Sequence, residues 1–301
     1  MSKKTKIPQF FINAFYESKF RDNLFVIKAG GKVIEDQKAL DALLSDIYDL
    51  NNVGIKVLLI YGGGRAMDSV AAERGIEVQK IDGRRVTDAA SLEVMKHVVG
   101  GTLSLGVAQG LARLNMDGLS FNVVPFDWMK VELRNKKPVD FGFVGTASNA
   151  DPRPIQRLFK VTNFIACSCM AITKDGTLCN INADTIATQL AIGLKAHKLV
   201  FLSDVDGVKI DGKTRHLITD QEIDGFIADG SVTGGMQVKL ENCKAAMDAG
   251  VKRIHLISGF RENALRSEIF EPTGPGTMLI PEATRESYEN EVAAQKLVEG
   301  K

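Results

Sequence analysis

Cysteine is sparse, neither sign of charge is in excess, and no long apolar run interrupts the chain. The four cysteines, Cys167, Cys169, Cys179 and Cys243, form no C-x-x-C pair in 301 residues, which excludes a disulfide scaffold. They read as reduced thiols packed as small hydrophobes, with Cys167 and Cys169 on one face of an apolar stretch. Thirty-eight Lys plus Arg against 37 Asp plus Glu leave a formal charge of +1. No global field therefore points to nucleic acid or an anionic membrane as partner. Nothing approaches the ~18 apolar residues of a spanning helix. The N-terminal stretch starts basic but holds no signal-type apolar block, so a cytoplasmic location is expected. There are no low-complexity tracts and no internal repeat.

What is present is ordinary for a globular protein: 45% hydrophobic and 25% charged residues, enough for a sizeable core. The length predicts about two domains or one two-lobed unit. Short runs rich in Val, Ile and Leu alternate with longer periodic segments. Leu24–Ile27, Lys56–Tyr61, Phe164–Ile172, Lys198–Leu202 and Arg253–Ile257 read as strands, and residues 36–52, 89–99 and 184–196 as helices. Unbroken apolar strands with helices between them predict an α/β fold, an open, mainly parallel sheet sandwiched between helices. Residues 119–150 carry shorter strand-like pieces and turn residues, which predicts a hairpin, read as a lid over a site. Near the N-terminus, Ile7, Phe10, Phe11, Ala14 and Phe15 fall on one helical stripe, with Pro8 suited to a first turn. Such a helix packs either on its own domain or against another subunit.

Chemistry gathers where predicted strands end. Gly30-Gly31 and Gly62-Gly63-Gly64 each follow a strand and precede a helix, where bare backbone N–H groups can approach an anion. Neither cluster matches the P-loop or the dinucleotide fingerprint. Lys28 ends a buried strand, which is costly unless the ammonium is paired or used. Lys239 lies in a second glycine turn opening a helix, Thr233-Gly234-Gly235-Met236. Asn180, Asn182 and Asp184 alternate, so an extended chain puts all three on one side, although Asn182 or Asp184 also suits a helix cap. Ser203-Asp204-Val205-Asp206-Gly207-Val208 closes another strand in a carboxylate-bearing turn that lacks the spacing of a calcium loop. Arg84 and Arg85 sit in a turn before a helix, and Arg suits a planar carboxylate.

In this order the segments IKAGGK (27–32), YGGGR (61–65), GRRVTD (83–88), DFGFVG (140–145), NINAD (180–184), LSDVDGV (202–208), TGGMQVK (233–239) and GPGTMLI (274–280) resemble the amino acid kinase family. The GRRVTD turn favours its acetylglutamate branch. The resemblance spans residues 24–280 and leaves no room for an appended regulatory, RNA-binding-like or acetyltransferase domain. It implies a carbamate-kinase-like fold with an N-terminal helix over 1–21, an acyl-amino-acid lobe over 22–196 and an ATP lobe over 197–301. It implies transfer of the γ-phosphoryl group of ATP to the side-chain carboxylate of N-acetyl-L-glutamate, a step of arginine biosynthesis.

By the resemblance, Lys28 and Lys239 neutralise the moving phosphoryl group and Asp184 orients both ammonium groups. The amides of Gly30, Gly31, Gly63 and Gly64 act as fixed donors. Arg85 clamps the α-carboxylate, and Asn180, with Asn182, contacts the acylated amino acid. Ser203 to Val208 and Thr233 to Met236 line the nucleotide. Mg²⁺ is carried mainly by the phosphates, with no protein metal-ligand set. A homo-oligomer is expected, a dimer at least and a hexamer if the N-terminal helix links dimers, with arginine as a candidate effector. Ala29, Tyr61, Arg65, Arg84 and Gly101-Thr102-Leu103 depart from the family's usual residues and bear on which acceptor is used. Two alternatives stay open: a kinase of this fold for a related acylated amino acid or other small acid, and a non-catalytic metabolite sensor.

Overall fold

Eight strands lie side by side in one sheet: β1 (Leu24–Ala29), β2 (Lys56–Tyr61), β3 (Leu119–Phe121), β4 (Phe164–Ser168), β5 (Lys198–Ser203), β6 (Leu217–Thr219), β7 (Ile254–Ser258) and β8 (Thr277–Ile280). The computed structural model describes residues 18–81, 84–271 and 274–299, with 295–299 by backbone alone. The strand order is β6-β8-β7-β5-β1-β2-β4-β3. Every neighbouring pair runs parallel except β7 with β8. Phe25–Ile27, Val57–Tyr61 and Leu199–Leu202 are all 3% exposed or less, as parallel strands covered on both faces must be.

The helices are α1 (Gly31–Glu35), α2 (Gln37–Asn52), α3 (Gly64–Glu73), α4 (Ala89–Met95), α5 (Ser104–Arg113), α6 (Pro152–Leu158), α7 (Ala183–Gly193), α8 (Asp220–Ala228), α9 (Gly234–Asp248), α10 (Ala264–Phe270) and α11 (Arg285–Glu299). In α2 the buried Leu40, Leu43, Leu44 and Ile47 recur at helical spacing, and the Asp36 side chain caps its first turn through Lys38 N and Ala39 N. The cap and the stripe together explain why this segment is helical. Helix α7 lies across β1, β2 and β5, and α2 packs on β2 beside α5 and α10.

Strand β1 is central. The chain builds β2, β3 and β4 on one side of it, then crosses to β5, β6, β7 and β8 on the other. In an open α/β sheet such a reversal leaves a crevice at the carboxyl ends of the strands. Both glycine clusters stand there.

Two expectations change in detail. The strand expected over 164–172 breaks at Cys169: Met170–Ile172 leaves the sheet and pairs antiparallel with Leu178–Asn180. A turn at Gly176, with φ +86°, makes that hairpin possible. The helix expected over 89–99 runs on through a wider-wound π segment, Lys96–Leu103, into α5. Residues 119–150 do contain an antiparallel hairpin, Lys130–Leu133 with Gly145–Ser148, after edge strand β3. The residues of the N-terminal stripe, 7–15, lie outside those described. All four cysteines are buried and free, and burial pushes the Cys169 and Cys243 thiols up to about 12. They are unreactive packing groups.

Asp46 on α2 is the clearest buried carboxylate of the core. Its Oδ2 accepts from Leu265 N at 3.1 Å and Arg266 N at 3.4 Å, capping α10. Burial pushes the group up to about 6, against the lowering effect of those two amides. Between pH 4 and 6 the folded chain therefore holds a proton that the unfolded chain has released, so stability falls as pH rises through that window. Asp46→Asn keeps an acceptor for the α10 amides without the charge. It is expected to stabilise the protein at pH 7 by about 1–3 kcal/mol, with the gain vanishing near pH 4. Thermal melts at the two pH values measure it, and equal gains at both would show that charge burial is not the cause.

Candidate active site

Lys28 leaves the end of β1 between Ile60 of β2 and Phe201 of β5. Its Nζ meets Asp184 Oδ1 at 2.9 Å, with the side chains 15% and 30% exposed. Asp184 is the second residue of α7, where the helix N-terminus favours negative charge. Burial pushes its carboxyl up, but the charges of Lys28 and then Lys239 outweigh that and hold it below the ordinary carboxylate value. Lys239, on the second turn of α9, lies 5.4 Å from the centre of the Phe201 ring. One carboxylate thus stands among two ammonium groups that reach the crevice from different elements. The Lys28–Asp184 contact is a charge-assisted one at hydrogen-bond distance.

The two glycine clusters touch each other. A Cβ on Gly31 would lie 3.0 Å from Gly64 N and 3.2 Å from Gly63 Cα, and one on Gly63 would lie 2.3 Å from Leu103 Cδ1. Glycine is needed there for close approach. Glu35 Oε1 accepts from Ala66 N at 2.9 Å, tying α1 to the first turn of α3. The N–H groups of Gly31 and Gly64 stand in first helical turns, where no preceding carbonyl of the helix can reach them. Gly30 differs: its N–H donates to Leu202 O at 2.9 Å. It fastens β1 to β5 and is not a free donor.

Arg85 is nearly covered, with its side chain 11% exposed. Its Nη2 donates to Gly64 O at 2.9 Å and to Asp68 Oδ1, which aims the guanidinium beside the α3 terminus. Asn180 Nδ2 donates to Thr87 Oγ1 at 3.1 Å, and Thr87 is itself buried. Asn182 takes the capping role: its Oδ1 accepts from Asp184 N at 2.7 Å and Thr185 N at 3.4 Å. The three alternating residues therefore separate, Asn180 toward Thr87, Asn182 onto the helix end and Asp184 toward Lys28.

In the turn after β5, Asp204 pairs with Lys32 of α1. The hydrogen bond from Lys32 is the main cause of its lowered carboxyl value, and Lys239 lowers it further. Ser203, Val205 and Asp206 edge the same crevice, whereas Gly207 and Val208 are buried beneath it. Val208 N donates to Thr277 Oγ1 at 2.8 Å, so these two residues hold the turn rather than present side chains. Thr233 to Met236 open α9, with Gly234 at φ +60°. Tyr61, one of the departures, does not face the site: it is fully buried, and its OH meets Ser104 Oγ at 2.8 Å.

A second polar cluster was not anticipated from the sequence. Lys198 Nζ meets His255 Nε2 at 3.0 Å, His255 Nδ1 meets Glu268 Oε1 at 2.8 Å, and Glu268 Oε2 accepts from Gly276 N at 2.9 Å. Burial pushes Lys198 down to about 7 and His255 down to about 4. A neutral His255 then donates from Nδ1 and accepts at Nε2, which satisfies both partners. The sequence clue was a lysine opening an otherwise apolar strand.

The amino acid kinase family model matches residues 23–258. The chain belongs to the amino acid kinase family. Among curated relatives, acetylglutamate kinase of Halothermothrix orenii is 34% identical over 275 residues, covering 89% of this chain and 94% of the relative. Acetylglutamate kinase of Nitratiruptor sp. is 34% identical over 285 residues, covering 93% and 99%. Two solved structures show the family fold. N-acetylglutamate synthase from Neisseria gonorrhoeae, complexed with coenzyme A and N-acetyl-glutamate, has a TM-score of 0.81 at 24% identity over 91% of this chain. This chain spans only 63% of that synthase. The Giardia carbamate kinase has a TM-score of 0.63 at 17% identity, covering 87% of this chain and 99% of its own. Membership fits the sheet order and the crevice edged by the turns after β1, β2 and β5. No described helix is long and apolar enough to cross a membrane.

Proposed function

We propose that this chain phosphorylates the side-chain carboxylate of N-acetyl-L-glutamate with ATP, a step toward arginine. The observation that carries the mechanism is the Lys28–Asp184–Lys239 arrangement at the sheet's switch point. A carboxylate oxygen attacks the γ-phosphorus, the bond to the β–γ bridging oxygen breaks, and ADP leaves with that electron pair. The acceptor is already ionised, so no base is required; positioning and charge neutralisation do the work. Lys28 and Lys239 meet the oxygens of the moving group, and Asp184 keeps the two like charges together and aimed. The first-turn amides of α1 and α3 add fixed donors. Arg85 holds the substrate's α-carboxylate and Asn180 its acylated end. The turn after β5 and the start of α9 hold the nucleotide. Asp184 is paired with Lys28 and stands in the field of Lys239, so Mg²⁺ would enter with the nucleotide, where it would screen phosphate charge.

The division of labour follows the lobes, 22–196 for the acyl amino acid and 197–301 for ATP. It is supported by the crossing of the chain from one side of β1 to the other. A cytoplasmic location belongs to the same proposal. The test is phosphoryl transfer to acetylglutamate, aspartate, glutamate, carbamate and UMP as acceptors. Turnover on acetylglutamate supports the reading. Turnover confined to another acceptor favours the related-kinase alternative, to which exposed Arg65 and Arg84 lend some weight. Ligand binding without any turnover favours the sensor.

A homo-oligomer is also part of the proposal. Edge strand β3 and the exposed Leu105 and Phe126, 64% and 72% accessible, support a face for a second copy. The end of the N-terminal segment is anchored at home: Phe20 is buried against Phe25 and His197, and Lys19 pairs with Glu291. Deleting residues 1–17 spares that anchor. The expected outcome by light scattering is an assembly larger than a dimer that falls to dimers on deletion. A full-length dimer would remove the hexamer. Arginine as an effector rests on the resemblance alone, and adding arginine to the same assay decides it.

A further inference from the structure

Two of the site's ion pairs differ in character. Lys28 and Asp184 are largely buried, with side chains 15% and 30% exposed. Separating them would strand charge in poor solvent. Lys32 and Asp204 form the other pair, with side chains 50% and 48% exposed. An exposed pair of this kind contributes little and exchanges readily. It joins α1, directly after the Gly30-Gly31 turn, to the turn after β5, across the mouth of the crevice. The same two segments are already tied by Gly30 N to Leu202 O, so the clasp is not needed to hold them. Lys239 also acts on Asp204, so this carboxylate keeps a cationic neighbour when Lys32 leaves.

We propose that Lys32 is a nucleotide-polyphosphate residue held in reserve by Asp204, exchanging that carboxylate for the terminal phosphates when ATP enters the crevice. The proposal rests on the kinase reading of the same site. A long lysine is a flexible point charge suited to phosphate. Its ammonium stands at the rim, whereas Lys28 is locked inward on Asp184, so Lys32 serves affinity for the charged end of the nucleotide and Lys28 serves the chemistry. Discrimination between ATP and less phosphorylated nucleotides is the consequence.

The experiment is calorimetric titration of the full chain and of Lys32→Gln and Lys32→Arg with ATP, ADP and AMP in the presence of Mg²⁺, alongside steady-state kinetics. The expected result is an ATP affinity lowered about tenfold in Lys32→Gln, the loss of one charge-assisted phosphate contact. AMP binding should be unchanged, ADP intermediate, and Lys32→Arg close to the parent. The KM for ATP should rise while kcat at saturation holds. Equal losses for ATP and AMP would make Lys32 a merely structural residue and overturn the proposal. So would unchanged ATP binding in Lys32→Gln when the parent binds ATP. A parent chain that binds no ATP would overturn the kinase reading itself, a different failure from the other two.

Discussion

Lys28→Ala and Lys239→Ala are each expected to lower kcat by about thirtyfold to a thousandfold, the 2–4 kcal/mol of one preorganised charge-stabilising donor. Ground-state binding should change far less, because Lys28 already has Asp184 as its partner and Lys239 already feels that carboxylate's charge before any phosphoryl group moves. Their attraction to Asp184 is present in the free protein; what grows along the reaction is negative charge on the transferring oxygens. The two losses should not add in the double variant, since in the proposed mechanism both lysines act on one moving group beside one carboxylate. Single-turnover and steady-state rates with acetylglutamate measure the effect. Unchanged turnover in either variant would remove that lysine from the mechanism.

Arg85→Ala is expected to show the opposite split. The KM for the amino-acid substrate should rise about tenfold to a hundredfold, the 1.5–3 kcal/mol of a charged hydrogen-bonding contact. The KM for ATP should stay near its parent value. The guanidinium is already aimed by Gly64 O and Asp68, so in the proposed role it would meet the substrate carboxylate in the ground state and the transition state alike, which is uniform binding. Removing it leaves Asp68 still paired with Lys80 at 2.9 Å, and the fold should be little disturbed. A fall in kcat with an unchanged acceptor KM would show that Arg85 contributes to the chemical step instead.

Much of this architecture was legible in the residues. Apolar runs such as Leu24–Ile27 and Lys56–Tyr61, short and ended by glycine or turn residues, read as parallel strands buried on both faces, and the periodic Leu40, Leu43, Leu44 and Ile47 read as a helix with one face inward. Two glycine clusters after such strands announced a crevice, because bare backbone at a strand end is where helices begin and anions approach. The lysine closing β1 announced a partner, because an unpaired ammonium does not stay buried. These signals are local: periodicity, turn chemistry and the cost of desolvation act over a few residues.

The choice among equally plausible uses of one residue type needed contacts between distant segments. Asn182 became a cap while Asn180 reached Thr87, 93 residues away, since backbone curvature at the α7 start sends alternate side chains in different directions. Gly30 lost its free amide because β5 lies within hydrogen-bond reach of β1, whereas Gly31 and Gly64 kept theirs by opening helices. Tyr61 turned into the core because the π segment after α4 brings Ser104 to its hydroxyl. The pairing of Lys32 with Asp204 and the buried Lys198–His255–Glu268 cluster came from strand order, not from spacing. The residue types set which groups the crevice could contain; the parallel crossing about β1 set which of them face one another, because charge and hydrogen bonding act through space over a few ångströms and take no account of separation along the chain.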